Sequence, residues 1–134
     1  MQSVTIKSGR GDTTMEFLER EDNYFKVNVR GLDFQGTARI YIYEPRPNTL
    51  AGFFRDLAVN WRGWSGKKKW ASLEGELSFA AESDSTGHTY LKTRLRSGPY
   101  PFDWAVSFVL LLEAGQLENI ATQMEKFSAQ NFVD

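Results

Sequence analysis

The chain contains no cysteine, and its one histidine is His88. A disulfide framework, a Cys-ligated zinc or iron–sulfur site and a His-rich metal centre are therefore excluded, and a reducing compartment is compatible. Charge of one sign is lacking too: 16 Lys and Arg stand against 17 Asp and Glu, a net −1 at pH 7. No global field draws such a chain toward nucleic acid or an anionic membrane. No apolar run approaches the ~20 residues of a membrane span. The N-terminal Met1-Gln2-Ser3-Val4-Thr5-Ile6-Lys7 lacks the apolar core of a secretory signal. A cytoplasmic protein is the expectation. Recognisable catalytic, metal and nucleotide motifs are also missing. There is no Gly-x-Ser-x-Gly, and Gly9-Arg10-Gly11-Asp12 has no helix after it to act as a phosphate loop. A non-enzymatic chain without a cofactor follows as the expectation.

What is present suits a single domain over 1–134. A chain of 134 residues can bury a sizeable core. Ten Phe, five Tyr and four Trp are generous for that size; most belong inside, and some are left for a binding surface.

Along the chain, β-type segments dominate. Thr13 to Arg20 and Tyr24 to Arg30 flank the polar turn Glu21-Asp22-Asn23, and Phe25, Val27 and Val29 alternate with Lys26, Asn28 and Arg30. After the turn Gly31 to Gly36, Thr37 to Tyr43 alternates again, and Val4 to Lys7 predicts a short strand ahead of this meander. Pro45-Arg46-Pro47 stops the strand, and Asn48 is expected to cap a helix. Leu50, Phe53, Phe54, Leu57, Ala58 and Trp61 then follow at helical spacing, with Gly63 as the stop. Trp70 to Ala81 predicts a strand with Leu73, Leu77, Phe79 and Ala81 on one face. Its return partner turns Leu91 and Leu95 inward and His88, Tyr90, Lys92, Arg94 and Arg96 outward. Pairing Glu82 with His88 would set Glu76 against Arg94 and Glu74 against Arg96, a solvated charge ladder. Phe102 to Leu112 is apolar on both faces, so a central strand is expected. Glu113 precedes a last helix with the stripe Leu117, Ile120, Met124, Phe127. The fold class is α+β: a largely antiparallel sheet of about six to eight strands with two main helices, about 48–62 and 116–129.

The most unusual composition lies between Trp61 and Trp70, where three tryptophans interleave with Arg62, Lys67, Lys68, Lys69 and two glycines. Aromatic platforms with cations suit single-stranded nucleic acid, and Trp and Arg equally suit a protein interface. Against both stands the plain account in which Trp61 extends a helix, Trp70 starts a strand and the lysines form a solvated loop. Partner-binding candidates are Trp61, Arg62, Trp64, Lys67, Lys68 and Lys69, with the strand face Tyr90, Lys92, Arg94 as second choice. Burial or internal ion pairing of Trp64 and the lysines would remove the first of these. His88 faces outward with no nucleophile to activate, and Glu74/Glu76 and Glu82/Asp84 match no calcium loop.

Trp70-x-Ser72-x-Glu74-Gly75, Thr86-Gly87-His88, Trp104 and Leu112-Glu113-Ala114-Gly115-Gln116-Leu117 together carry a resemblance. The chain resembles a family of small bacterial proteins, each one strand-rich domain of unknown function, most closely from Trp61 to Phe127. A looser likeness, in strand pattern and in the closing strand-to-helix segment, connects it to WapI-type immunity proteins, small cytoplasmic antitoxins of contact-dependent toxin systems. No catalytic residue set is carried over by either. The expectation is a protein-binding module, by that likeness of immunity type. The alternatives are a small-ligand binder or weak hydrolase, with His88, Asp103 or a carboxylate pair converging on a pocket between sheet and helix, and a single-stranded nucleic-acid binder. Self-association through an exposed edge strand stays open.

Overall fold

The structure, a computed structural model, describes residues 3–43, 49–84 and 86–129. Four strands come first: β1 (Val4–Lys7), β2 (Thr14–Leu18), β3 (Tyr24–Arg30) and β4 (Gln35–Tyr41). Helix α1 (Leu50–Val59) leads to β5 (Lys68–Ala71), β6 (Leu77–Ser83), β7 (His88–Arg96) and β8 (Ala105–Glu113), and α2 (Ala114–Ser128) follows directly. The α+β class holds, with eight strands divided between two antiparallel four-stranded meanders, β1-β2-β3-β4 and β5-β6-β7-β8.

Period-two alternation gives each sheet one apolar face, and these faces meet the helices in one core. Phe17 and Phe25 come from the first sheet, Trp70, Phe79, Leu91 and Leu110 from the second, and Phe53, Phe54, Met124 and Phe127 from the helices; all are buried. Phe17 lies within ring contact of Phe25, Phe54 and Phe127 at centroid distances of 5.9, 6.5 and 6.3 Å. Arg55 clamps the helices together, its guanidinium 2.8 Å from both Glu118 and Glu125.

Among the described residues, polar contacts tie the sheets at two places. The Gly9 N–H donates to the Leu111 carbonyl at 2.8 Å, and the Leu111 N–H donates to Ser8 Oγ at 3.0 Å, so the β1–β2 turn lies along β8. At the other place the Tyr41 N–H, on edge strand β4, donates to Glu76 Oε2 at 3.1 Å.

Several sequence expectations are corrected. The segment 70–81 is a hairpin, not one strand: β5 ends at Ala71, Gly75 turns the chain at φ 78°, and Leu73 is 54% exposed in the turn. The β6–β7 register is shifted by two from the expected one, with Ser83 opposite Thr89 and Glu82 opposite Tyr90. The Glu74/Glu76 ladder therefore does not form; Glu76 is buried, and Lys92 pairs with Glu82 at 2.7 Å instead. Strand β8 is an edge rather than a central strand. It starts at Ala105, leaving Phe102 84% exposed in the preceding loop. Helix α1 ends at Val59 with Asn60 as its C-cap, so Trp61 lies beyond the helix and is exposed, and Gly63 turns the chain at φ 121°. Thr49 caps the start of α1, its side chain accepting from the Gly52 N–H; the expected stop at Pro45–Pro47 and cap at Asn48 lie outside the described residues. Glu113 does sit at the N-cap of α2, its N–H donating to Gln116 Oε1 at 2.8 Å.

Candidate functional site

The outer face of β5–β8 is built from residues of the opposite parity to the core set. Pairing places Lys69, Ala80, Lys92 and Val109 in one row across the sheet, and Ala71, Ser78, Arg94 and Ser107 in the next. Four of these eight side chains are Ala or Ser. Where small side chains stand between long ones, the sheet surface is hollow, and here the hollow is a groove of about 670 Å³. Its floor is Ala71, Ser78, Ala80 and Ser107, and Lys69, Lys92 and Arg94 rise from it. Among the described residues, Lys69 and Arg94 have no anionic partner, whereas Lys92 holds Glu82. That bond keeps the Glu82 carboxyl below its usual range.

The sequence candidates are thus divided. Lys69, Lys92 and Arg94 come together on one face, with Tyr90 in the adjoining row opposite Glu82 and Leu111. The other loop residues do not join them as a unit. Trp64 is half-buried against the core, its Nε1–H donating to the Ala81 carbonyl at 3.3 Å. Lys68 is ion-paired with Asp56 at 2.9 Å and lies 5.6 Å from the Trp64 ring centroid. Trp64 and Lys68 therefore hold the α1–β5 connection, so the candidates of this loop divide between a structural role and the groove. Arg62 stacks 5.0 Å from the Trp61 ring centroid, both exposed at the end of α1, while Lys67 is exposed ahead of β5. The small floor residues were not singled out in the sequence. Their signal is a run of Ala and Ser at outward positions, which means a hollow only once the pairing is known.

A second cavity, about 540 Å³, adjoins the groove at Val109 and is lined by Ser8, Gly9, Arg10, His88, Tyr90, Leu111 and Glu113. His88 stands between two carboxylates: Nδ1 is 3.3 Å from Asp84, and Nε2 is 3.3 Å from Glu113. Asp84 accepts from the His88 N–H at 3.0 Å, from the Thr86 N–H at 2.8 Å and from the Tyr90 hydroxyl at 3.2 Å. These bonds, the His88 backbone N–H foremost, hold its carboxyl well below the usual carboxylate range. The constellation closes the β6–β7 turn and fastens it to the start of α2. Among the described residues no group of three His, Asp or Glu side chains is placed to hold a metal ion. Asp103, the other expected pocket residue, accepts from the Tyr100 N–H at 2.8 Å within the β7–β8 loop.

Asp84 carries a pH prediction. A carboxyl held low in the folded state stabilises the fold above its unfolded value near ~4, and that contribution is lost as pH falls through the folded value. Asp84→Asn should therefore lower Tm relative to wild type at pH 6, and the gap should narrow progressively below about pH 4. Thermal melts followed by circular dichroism across that range check it; a gap constant with pH would contradict the assignment.

A family model matches residues 7–131, nearly the whole chain. The chain belongs to DUF6228, a family of unknown function. No curated protein and no solved structure matches it. Membership in DUF6228 assigns no residue a role, so the groove stands on its geometry. None of the described helices is long and apolar enough to cross a membrane.

Proposed function

We propose that the chain is a protein-binding module whose docking face is the outer surface of β5–β8, and that it receives an acidic surface of a partner. The observation that carries this is the placement of Lys69 and Arg94, unpaired among the described residues, beside Lys92 around a floor of small side chains. Cations without internal partners gain from an incoming carboxylate, and a hollow lets a partner side chain descend between them. Glu82 and Glu113 break up the positive field along the same face, which disfavours a polyphosphate backbone. An immunity-type, toxin-neutralising role, as the WapI likeness implies, would be one use of such a face. The groove volume and its small, largely apolar floor favour a second reading, a small anionic ligand in the same place.

Immobilised protein presented with a displayed library of random peptides tests the class of partner. Peptides rich in Asp and Glu should be enriched. The double reversal Lys69→Glu/Arg94→Glu should weaken the enriched peptides about tenfold to a hundredfold, with salt weakening wild-type binding as well. Enrichment of neutral or basic sequences, or the same enrichment on the reversed variant, would sink the proposal. A thermal shift given by small dicarboxylates and abolished by the reversal, without acidic-peptide enrichment, would select the small-ligand reading.

A further inference from the structure

Strand β8 is an edge of its sheet, and its edge is only partly covered. The Leu111 N–H and C=O point away from β7, toward Ser8 and Gly9. Strand backbone directions alternate with period two, so Val109, Ser107 and Ala105 also direct their N–H and C=O groups away from β7. Trp104, of the other parity, confirms the phase: its carbonyl accepts from the Ser97 N–H on the β7 side at 3.0 Å. Among the described residues nothing pairs with the outward backbone groups of Ala105, Ser107 and Val109. All three residues are exposed, Val109 at 49%.

Natural sheets blunt such edges with lysine, proline or a bulge. From Ala105 to Leu112 this strand has no charged residue and no proline. An open, uncharged edge beside a cationic face is suited to strand addition, in which backbone hydrogen bonds hold an extended segment and alternate side chains select it. At Leu111 the edge is already covered by the β1–β2 turn, through the Ser8 side chain and the Gly9 N–H. We propose that Ala105 to Val109 takes up an extended segment of a partner protein as an added strand, and that this segment alternates apolar with acidic residues.

The side chains flanking the edge set that alternation. On the outer face the added strand would lie next to Ser107 and Val109, with Arg94 and Lys92 one strand further in. Acidic residues suit that side. On the inner face it would lie next to Val106 and Phe108, both packed against the core, and near the Phe34–Trp104 ring pair, whose centroids are 6.4 Å apart. Apolar residues suit that side. The inference rests on the docking face proposed above and specifies how its partner is held.

A capped peptide of about nine residues, the upper range of strand lengths, alternating glutamate with valine, is the probe. Its twin carries N-methyl groups on alternate backbone amides, which leaves every charge in place and removes donors to the edge. Titration calorimetry should show the twin binding about tenfold more weakly, as the loss of one or two hydrogen bonds requires. Ser107→Pro and, as a second variant, Val109→Pro should weaken the parent peptide similarly. Among the described residues the Ser107 N–H has no partner, so that proline removes no bond to them. Equal binding of the methylated twin would overturn strand addition. Should Lys69→Glu/Arg94→Glu weaken binding while methylation and Ser107→Pro do not, the docking face stands and strand addition fails; insensitivity to all of them removes both. A dimer in sedimentation velocity that Ser107→Pro dissociates would make the occupant a second copy of this chain and overturn the assignment to a partner protein.

Discussion

Phe17→Ala should destabilise the protein by about 4 kcal/mol, the largest single loss expected from the core. Phe17 is fully buried on β2 and touches a ring from each direction: Phe25 on β3, Phe54 on α1 and Phe127 on α2. Truncation removes the apolar area of the ring and leaves a cavity where strand and helix layers meet. These neighbours belong to three different elements and cannot collapse onto the space together. Against a total stability of about 5–15 kcal/mol this is a large fraction. Urea unfolding should show a fall in midpoint with an unchanged slope. Phe17→Leu, which keeps most of the volume, should cost about 1–2 kcal/mol. Equal losses for Ala and Leu would mean that aromatic ring geometry, rather than volume, governs the site.

The same alternation that puts Phe17 inside made much of the fold legible. Phe25, Val27 and Val29 are buried as the pattern of β3 requires, and the stripe Leu50, Phe53, Phe54, Leu57, Ala58 faces the core from α1. The hairpin between Trp70 and Phe79 was legible in principle. Both residues are buried, yet they have opposite parity, which one continuous strand cannot deliver. The β6–β7 register was open because turn geometry decides it. The bonds gathered by Asp84 shorten the connection, and a shift of two preserved the faces of His88 to Arg96 while changing every partner.

β8 shows the limit of reading burial from apolarity. Val109 and Leu111 make its second face apolar, which suggests a covered central strand. In the fold Leu111 is only half-buried beside Ser8 and Gly9, and Val109 is exposed at the edge. Apolar character without a covering element is what an edge awaiting a partner would have, so the failed expectation and the proposed strand addition have one cause. The candidate site behaves likewise. Lysines 67 to 69 were conspicuous as a run, but strand pairing sends Lys69 to the groove and Lys68 to Asp56. Ala71, Ser78, Ala80 and Ser107 became informative only through their neighbours on other strands.

Glu76→Ala should cost about 3 kcal/mol, close to the core truncation although it removes only a surface-type side chain. Glu76 sits in the β5–β6 turn, yet it is buried and reaches the first sheet. Its Oε1 accepts from the Ser72 hydroxyl at 2.8 Å, while Ser72 Oγ in turn accepts from the Leu77 N–H at 3.1 Å. Its Oε2 accepts from the Tyr41 N–H at 3.1 Å, on the free side of edge strand β4. Alanine would leave a buried hydroxyl and a backbone N–H without an acceptor, each at a cost of about 1–3 kcal/mol. Glu76→Gln keeps one acceptor oxygen but turns an amide NH₂ toward the other donor, so about half the loss should remain. Urea midpoints rank the three proteins, and amide exchange at Tyr41 locates the effect. A mutant Tyr41 amide exchanging as slowly as in wild type would show that Glu76 does not tie the sheets. Acceleration at Tyr41, with β7 and β8 unchanged, would show that this carboxylate holds the end of the first sheet against the turn of the second.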